Sequence, residues 1–221
     1  MAEEEPVEPE PQQAGWQQSG LVEFFNKGGR FMWGLLVLSI VGVAVIIERA
    51  ITLSKARADV RSLMERVVSA LKKGRLDEAM EVCASTRGPI PQILHAGLRQ
   101  AKKGTVAVEK AIETAGIIEM SFLERGLIIL ATVANVAPLL GFLGTVSGMI
   151  SAFEAIAQAE QVSAKLVASG ISEALITTMT GLVIAIPVQI AHNIFVQRID
   201  GFVVEMEDSA AELVDTLAGM D

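Results

Sequence analysis

Two long apolar runs in this 221-residue chain carry hydroxyl groups that could contact an ion. Thr145 stands in the stretch GFLGTVSGMISAF, and Thr178 stands in ISEALITTMTGLVIAIP, where Glu173 precedes it. A carboxylate that faces the interior of a membrane bundle is a candidate for an ion pathway. A threonine within a helix more often bonds a carbonyl of its own turn. Taken alone, these residues leave both interpretations open.

The first run also carries small residues four, three and four positions apart: Ala137, Gly141, Gly144 and Gly148. This spacing places them on one stripe of a helix. In lipid, such a stripe lets two helices approach closely and gain dispersion contacts. Thr145 lies about 100° around the helix from Gly144, at the edge of the stripe. We therefore predict a close helix contact with a hydroxyl at its border.

The two runs place their hydroxyl groups at similar depths if they cross a membrane in opposite directions. Thr145 lies nine residues before Glu154, and Thr178 lies five residues after Glu173. At about 1.5 Å per residue, the two depths differ by about 6 Å. Two hydroxyl clusters at these depths could line one hydrated path, with Glu173 at its outer mouth.

A proline interrupts each run. Pro138 and Pro187 each leave one carbonyl of the preceding turn without its usual amide donor. Within a membrane such a carbonyl needs another hydrogen-bond partner. We expect a bend or a polar gap at each proline.

Composition predicts a membrane protein with a sizeable soluble part. Hydrophobic residues make up 51% of the chain and charged residues 20%, which is too apolar for an ordinary soluble domain. The net charge of −8 argues against a nucleic-acid partner. Cys83 is the single cysteine, so we expect a buried side chain and no internal disulfide.

Length and lack of charge predict three membrane-spanning helices. In order, we predict an acidic, disordered periplasmic tail with a short pre-membrane segment (1–27), the first span (28–50), a cytoplasmic helical region (51–126), the second span (127–156), a short periplasmic loop (157–172), the third span (173–196) and a cytoplasmic C-terminal helix (197–221). The orientation follows from the basic residues, because 14 of the 18 lie in residues 49–126 and basic segments stay cytoplasmic.

Breaker residues divide the predicted cytoplasmic region. Pro89 and Pro91 interrupt the chain, and a helical segment follows at 92–103. No helix-breaking residue is recognised between Thr105 and Pro138. The second span is therefore expected to continue into the cytoplasm as one long helix. The third span likewise continues into an amphipathic tail. Such helices would expose much apolar surface in a single subunit, which favours a collar of several subunits.

Both runs together resemble a known family. APLLGFLGTVSGMISAF (137–153) and GISEALITTMTGLVIAIPVQIAHN (170–193) are similar to the paired motifs of the TolQ/ExbB/MotA proton-channel family. ERA after the first span and GRLDEAMEVCASTRGPIPQILHAGL in the cytoplasmic region are similar as well. The resemblance covers residues 20–205. The acidic N-terminus and the three spans are most like the ExbB/TolQ branch.

The resemblance implies an all-α homopentamer of three-span subunits around a central pore in the bacterial inner membrane. The pore would hold the single span of an ExbD/TolR-like partner with an essential aspartate. Ion flow down the proton-motive force would then act on a TonB- or TolA-like periplasmic effector. Thr145 and Thr178 match the family's pore threonines, and Glu173 matches its third-span glutamate. The other matches are Pro138, Pro187 and Asn193. Neither enzyme activity nor a cofactor or metal is implied.

The chemistry of the hydroxyl group also favours a partner. A threonine can hold water or an ion, but it cannot easily take up and release a proton near pH 7. A carboxylate from another chain would complete the site. A secondary transporter is disfavoured because no inverted repeat is recognised in the sequence. An enzyme is disfavoured because no nucleophile motif, metal cluster or phosphate-binding loop is recognised. A passive membrane scaffold remains the alternative function. The sequence leaves open whether the ion is H⁺ or Na⁺ and which effector receives the motion.

Overall fold

The protein is helical throughout the part that a computed structural model describes, which is residues 16–56, 59–159 and 164–220. No strand occurs in these ranges. The helices are α1 (Trp16–Lys27), α2 (Phe31–Lys55), α3 (Val60–Lys72), α4 (Leu76–Ser85), α5 (Pro89–Leu98), α6 (Thr105–Glu124), α7 (Leu127–Gln158) and α8 (Ala164–Ala218). The prediction of an all-α chain is confirmed. The predicted disordered tail lies, up to position 15, outside the described residues.

Three helical stretches are long and apolar enough to cross a membrane: Phe31–Lys72, Thr105–Gln158 and Val167–Ala218. Three candidates agree in number with the three predicted spans, and each overlaps one of them. Many large apolar side chains on these stretches remain exposed, among them Val37, Ile40, Ile128, Leu139, Phe142, Leu175, Val183 and Ile186. Exposure of such an apolar surface to water is unfavourable, so lipid or neighbouring subunits must cover it.

The chain divides into two compact units, one of Leu38–Val136 with Ile184–Asp221 and one of Met1–Val37 with Ala137–Val183. The first unit has two buried clusters. One is formed by α3 to α6 and the C-terminal half of α8, around Leu63, Val67, Leu71, Leu94, Leu98, Val108 and Leu213. The other is formed by α2, α6, α7 and α8, around Leu53, Leu123, Leu130, Val133, Phe195 and Ile199. The hydrophobic effect stabilises these clusters where water surrounds the helices. Where the helices cross lipid, as around Leu130 and Val133, their packing contributes mainly dispersion contacts.

The helix expected to continue unbroken from Thr105 to Pro138 is interrupted at Gly126. Gly126 has φ +87°, a conformation that other residues adopt only at a cost, and it separates α6 from α7. Arg49 is buried beside this break and donates from Nη1 to the carbonyl oxygens of Phe122 and Leu123, both at 3.4 Å. The end of a helix leaves carbonyls without amide donors, and a cation there satisfies them. The prediction was wrong because Gly126 was not recognised as a breaker.

The prolines of RGPIP begin a helix where the sequence suggested an interruption. Pro89 is the first residue of α5, and Pro91 lies in the same first turn. Amides in the first turn have no carbonyl acceptor within the helix, so proline loses nothing there. The predicted segment 92–103 is therefore a helix that ends at Leu98, followed by a short 3₁₀ turn at Ala101–Lys103.

Cys83 is expected to be chemically inert in the folded protein. Its side chain is 2% exposed, and burial raises the pKa of the thiol to about 11. The thiolate is the reactive form, and roughly one thiol in a thousand is ionised at about pH 8 with such a pKa. We expect slow alkylation by a maleimide until the protein is denatured, measured by mass spectrometry. Rapid alkylation of the folded protein would contradict this account of the first unit.

Candidate functional site

Helices α7 and α8 meet with backbone against backbone in the second unit. A Cβ atom built on Gly141 would lie 2.9 Å from the carbonyl oxygen of Thr177 and 3.1 Å from the Cα of Thr178. A Cβ atom on Gly181 would lie 2.6 Å from the carbonyl oxygen of Ala137. Backbone atoms cannot move aside as a flexible side chain can, so both positions require glycine. Small residues at such points allow membrane helices to pack closely.

The rest of the predicted stripe also faces α8. A Cβ atom on Gly144 would lie 2.6 Å from the Cβ of Thr177. One on Gly148 would lie 3.0 Å from the carbonyl oxygen of Gly170 and 3.2 Å from the Cβ of Ala174. The structure thus places the four small residues of α7 along one continuous contact.

The surface of α8 in this contact is a second stripe that sequence reasoning missed. Gly170, Ala174, Thr177 and Gly181 are buried and stand four, three and four positions apart. This is the same spacing as in the stripe of α7, and it was the signal that could have revealed the pair. The side chain of Thr177 belongs to this stripe, because it is fully buried against Gly144.

Most of the threonine hydroxyls near this contact bond their own helix. The bonds run from Thr145 to the carbonyl of Phe142 (2.6 Å), from Thr177 to Ala174 (2.9 Å) and from Thr180 to Ile176 (2.8 Å). Thr178 differs, because its Oγ1 donates across the contact to the carbonyl of Gly141 at 3.1 Å. Thr178 therefore joins the two helices, and Thr145 lies next to the contact on α7.

This bonding decides what the hydroxyl groups can offer. A hydroxyl has one proton to donate, and in Thr145 and Thr178 a backbone carbonyl already accepts it. Each oxygen keeps lone pairs and can only accept a further hydrogen bond or contact a cation. Each oxygen could therefore contact a cation, a hydronium ion or a protonated carboxylic acid.

Glu173 is half-buried and packs against the turn that leads into α2. Its carboxylate contacts Gly29, which has φ +70°, in the second unit. A cavity of about 340 Å³ adjoins Glu173, and Lys27, Ser151 and Ser172 line it together with Ala152 and Ala155. The carboxylate thus lies between the start of α2 and this cavity. The contact with Gly29 was not predicted from the sequence.

Gly29→Ala is expected to destabilise the protein more than Gly74→Ala does. Both glycines have a similar positive φ, +70° and +73°, so alanine carries a similar conformational cost of about 1–2 kcal/mol at either position. The added methyl group meets the Glu173 carboxylate at Gly29 and nothing within 4 Å at Gly74. We expect a lower melting temperature in detergent for Gly29→Ala, partly recovered in Gly29→Ala/Glu173→Ala. Equal melting of the two single variants would show that the contact does not form.

The remaining predicted residues lie at separate places. Pro138 is inside α7 and Pro187 is inside α8, and both helices continue through them. Asn193 accepts a hydrogen bond from Gln189 of the preceding turn at 3.0 Å. Among the described residues no group of three or more His, Cys, Asp or Glu side chains is placed to hold a metal ion.

Comparison with known proteins relates this fold and site to a family. Residues 85–208 match the MotA/TolQ/ExbB proton channel family. This region contains α7 and the part of α8 that packs against it. It therefore includes every residue of the two small-residue stripes and both threonines.

Individual relatives match over most of the chain. A biopolymer transport protein ExbB homolog of Methanothermobacter thermautotrophicus is 31% identical, over 85% of this chain and 67% of that protein. The biopolymer transport protein ExbB of Pseudomonas putida is 29% identical over 83% of this chain, which spans only 57% of that protein's length. The Tol-Pal system protein TolQ of Haemophilus influenzae is 34% identical, over 72% of this chain and 75% of that protein. The chain therefore belongs to the MotA/TolQ/ExbB proton channel family.

Proposed function

We propose that the chain is the channel-forming subunit of an ion-driven motor in the bacterial inner membrane. The observation that carries this proposal is the α7–α8 contact, which holds acceptor oxygens of Thr145 and Thr178 inside apolar helices. Residues 127–153 and 174–191 contain no ionisable side chain. The relatives named for biopolymer transport and for the Tol-Pal system support the same role.

A second chain must supply the group that carries the ion. We assign this role to an ExbD/TolR-like protein with one membrane span and an aspartate at the depth of the threonines. A protonated aspartate can donate to the Thr145 or Thr178 oxygen, whereas an ionised one cannot. Protonation would therefore change which helix face the aspartate prefers. Glu173 would attract cations at the outer mouth of this path.

The assembly is proposed to be a homopentamer around the pore that holds the partner's span. Exposed apolar side chains on α7 and α8, such as Phe142 (63%) and Leu175 (63%), support an assembly or lipid that covers them. A TonB- or TolA-like effector would receive the resulting motion on the periplasmic side. Each charge that crosses provides about 2.3 kcal/mol per 100 mV, so large mechanical work requires several ions per cycle.

The function can be tested in lipid vesicles that contain a pH-sensitive dye. Vesicles with the chain and its single-span partner are expected to acidify when a membrane potential drives protons inward. Vesicles with the chain alone should not, because the carboxylate is absent. Replacement of Na⁺ by choline at constant pH, with a Na⁺-sensitive dye in parallel vesicles, distinguishes the two ions. No flux of either ion with the complete complex would contradict the proposal.

Topology is expected to follow the basic residues. A reporter fused at Lys73 should be active in the cytoplasm, and one fused at Gln161 should be active in the periplasm, because 14 of the 18 basic residues lie in 49–126. Alkaline phosphatase and green fluorescent protein fusions measure the two locations. The opposite pattern would place Glu173 at the cytoplasmic end of the path and contradict its role as outer mouth.

A further inference from the structure

Three segments of the first unit meet around a small cavity of about 220 Å³. They are the turn between α3 and α4 (71–76), the turn between α5 and α6 (101–105) and the C-terminal end of α8 (216–220). Most of the side chains that line the cavity are apolar: Leu71, Leu76, Ala101, Val108, Leu217 and Met220. A cavity of this size admits an apolar side chain, whereas a helix about 10 Å across needs a longer groove.

The three segments carry cations and no carboxylate, although the chain has a net charge of −8. The cations are Lys72, Lys73, Arg75, Lys102 and Lys103, and all of them are exposed. Of these cations, only Arg75 has an acidic partner in the part of the chain that the structure describes. That partner is Glu78 at 2.9 Å, in an exposed pair that contributes little. We call the three segments together the basic end.

Helix stability does not account for all of these cations. Lys72 and Lys73 stand at the C-terminus of α3, where the helix dipole favours a positive charge. Lys102 and Lys103 lie more than a turn beyond the end of α5 and directly before α6, which begins at Thr105. The N-terminus of a helix favours a negative charge, so these two lysines are unfavourable for α6 by itself. An anion bound at this end would offset that repulsion.

The position and the lining of the cavity disfavour two kinds of anionic partner. Arg198 is the first arginine or lysine after the apolar run of α8, and Leu217 lies 19 residues further, about 28 Å along the helix. Attraction to anionic lipid is screened within about 8 Å at physiological salt, so lipid headgroups are out of reach. Nucleic acid bases stack on aromatic rings, and none of the described residues that line the cavity is aromatic.

A neighbouring copy of this chain is not complementary to the basic end either. Copies arranged around an axis normal to the membrane meet at equal depth. Near this end the exposed large apolar side chains are Val106 and Met220, and Met220 lines the cavity of its own subunit. Three cations and one carboxylate lie within four residues of Val106. Cations of one copy would therefore meet cations of the next, and like charges repel.

We propose that the basic end binds an acidic segment of a different protein, with one apolar side chain of that segment in the cavity. Glutamate or aspartate residues on either side of the apolar residue would pair with the lysines of both turns. This pairing places negative charge at the N-terminus of α6, where the helix dipole favours it. The site is separate from the α7–α8 contact, so it does not depend on the ion pathway.

The first test uses the full-length protein in a non-ionic detergent. The probe is a fluorescent peptide of about ten residues, roughly 33 Å when extended, with leucine at its centre and glutamate elsewhere. Lys73→Gln/Lys102→Gln is expected to weaken binding about tenfold at physiological salt. The matched control, Lys55→Gln/Arg61→Gln, removes two exposed cations that lie at least about 18 Å along the chain's helices from Lys73, and should leave binding unchanged. Equal loss in both variants would overturn the proposal.

The second test separates the cavity from the charges. Serine in place of the leucine of the peptide should weaken binding about tenfold or more, because the cavity then stays unfilled. Thr105→Leu fills the cavity from its lining, so the leucine and serine peptides should bind this variant equally. Equal binding of the two peptides to the wild type, or tighter binding of polyuridylic acid than of the leucine peptide, would overturn the proposal.

The third test labels the basic end in the assembled complex. A photo-crosslinking amino acid at Lys103 should attach, in native membranes, to a protein segment that contains several carboxylates around an apolar residue. A synthetic peptide of that segment should bind the purified protein and lose affinity in Lys73→Gln/Lys102→Gln. An adduct between two copies of this chain would overturn the proposal, because a neighbouring subunit would then cover the cavity.

Discussion

Gly141→Leu is expected to separate α7 from α8 and abolish both the stable fold and the activity. The leucine side chain would begin 2.9 Å from the Thr177 carbonyl oxygen and 3.1 Å from the Thr178 Cα. Neither backbone atom can move unless the whole helix moves, so the cost should reach about 3 kcal/mol or more. The displacement would also break the hydrogen bond from Thr178 to Gly141.

The matched control for this variant is Gly201→Leu. Gly201 is inside α8, and a Cβ atom built there has nothing within 4 Å. Gly201→Leu adds the same side-chain volume at a position without close neighbours. The melting temperature of this variant should therefore stay close to that of the wild type. Melting in detergent and native mass spectrometry measure stability and assembly. Normal melting, assembly and activity of Gly141→Leu would show that the two glycine stripes are not in contact.

The double variant Thr145→Val/Thr178→Val is expected to retain the complex and lose ion flux. Valine keeps the shape of threonine and removes the oxygen that would accept from a protonated carboxylic acid or contact a cation. Loss of a partner for a buried polar group costs about 1–3 kcal/mol. Two such losses, about 2–6 kcal/mol together, correspond to a reduction in flux of roughly 30-fold or more. Growth or uptake that depends on the motor should fall accordingly.

Serine at the same positions separates the effect of the hydroxyl group on activity from the effect of side-chain packing. Thr145→Ser/Thr178→Ser keeps both oxygens and removes two methyl groups, so it should retain part of the activity. Thr178 also bonds Gly141, and valine there loses one contact between the helices. Native mass spectrometry must therefore show that the valine variant assembles. The hydrogen bond of Thr145 to a carbonyl of its own helix supports the alternative of a passive scaffold. That alternative predicts normal activity for both double variants.

Residue spacing was sufficient to predict the features that repeat along a helix. The three spans follow from length and lack of charge, and the stripe of Gly141, Gly144 and Gly148 follows from the helical period. The matching stripe that contains Gly170 and Gly181 had the same spacing and could have been recognised. Periodicity finds such surfaces because each is local to one helix.

Contacts between distant segments could not be predicted in this way. The carboxylate of Glu173 packs on Gly29, and Arg49 binds carbonyls at the end of α6, although each pair is far apart in the sequence. Such contacts depend on how helices pack, which no single-helix pattern encodes. Gly126 was missed for a related reason. The sequence of an apolar run does not show whether a glycine within it has a helical or a positive φ.

Proton flux through the Thr145→Val/Thr178→Val variant tests the central claim most directly. The variant and its single-span partner would be placed in dye-loaded vesicles after native mass spectrometry has shown the same assembly as the wild type. Under an imposed membrane potential, we expect acidification in the wild type, partial acidification with serine at both positions and none above background with valine. Acidification by the valine variant at the wild-type rate would contradict the claim that these two hydroxyl groups form the ion pathway.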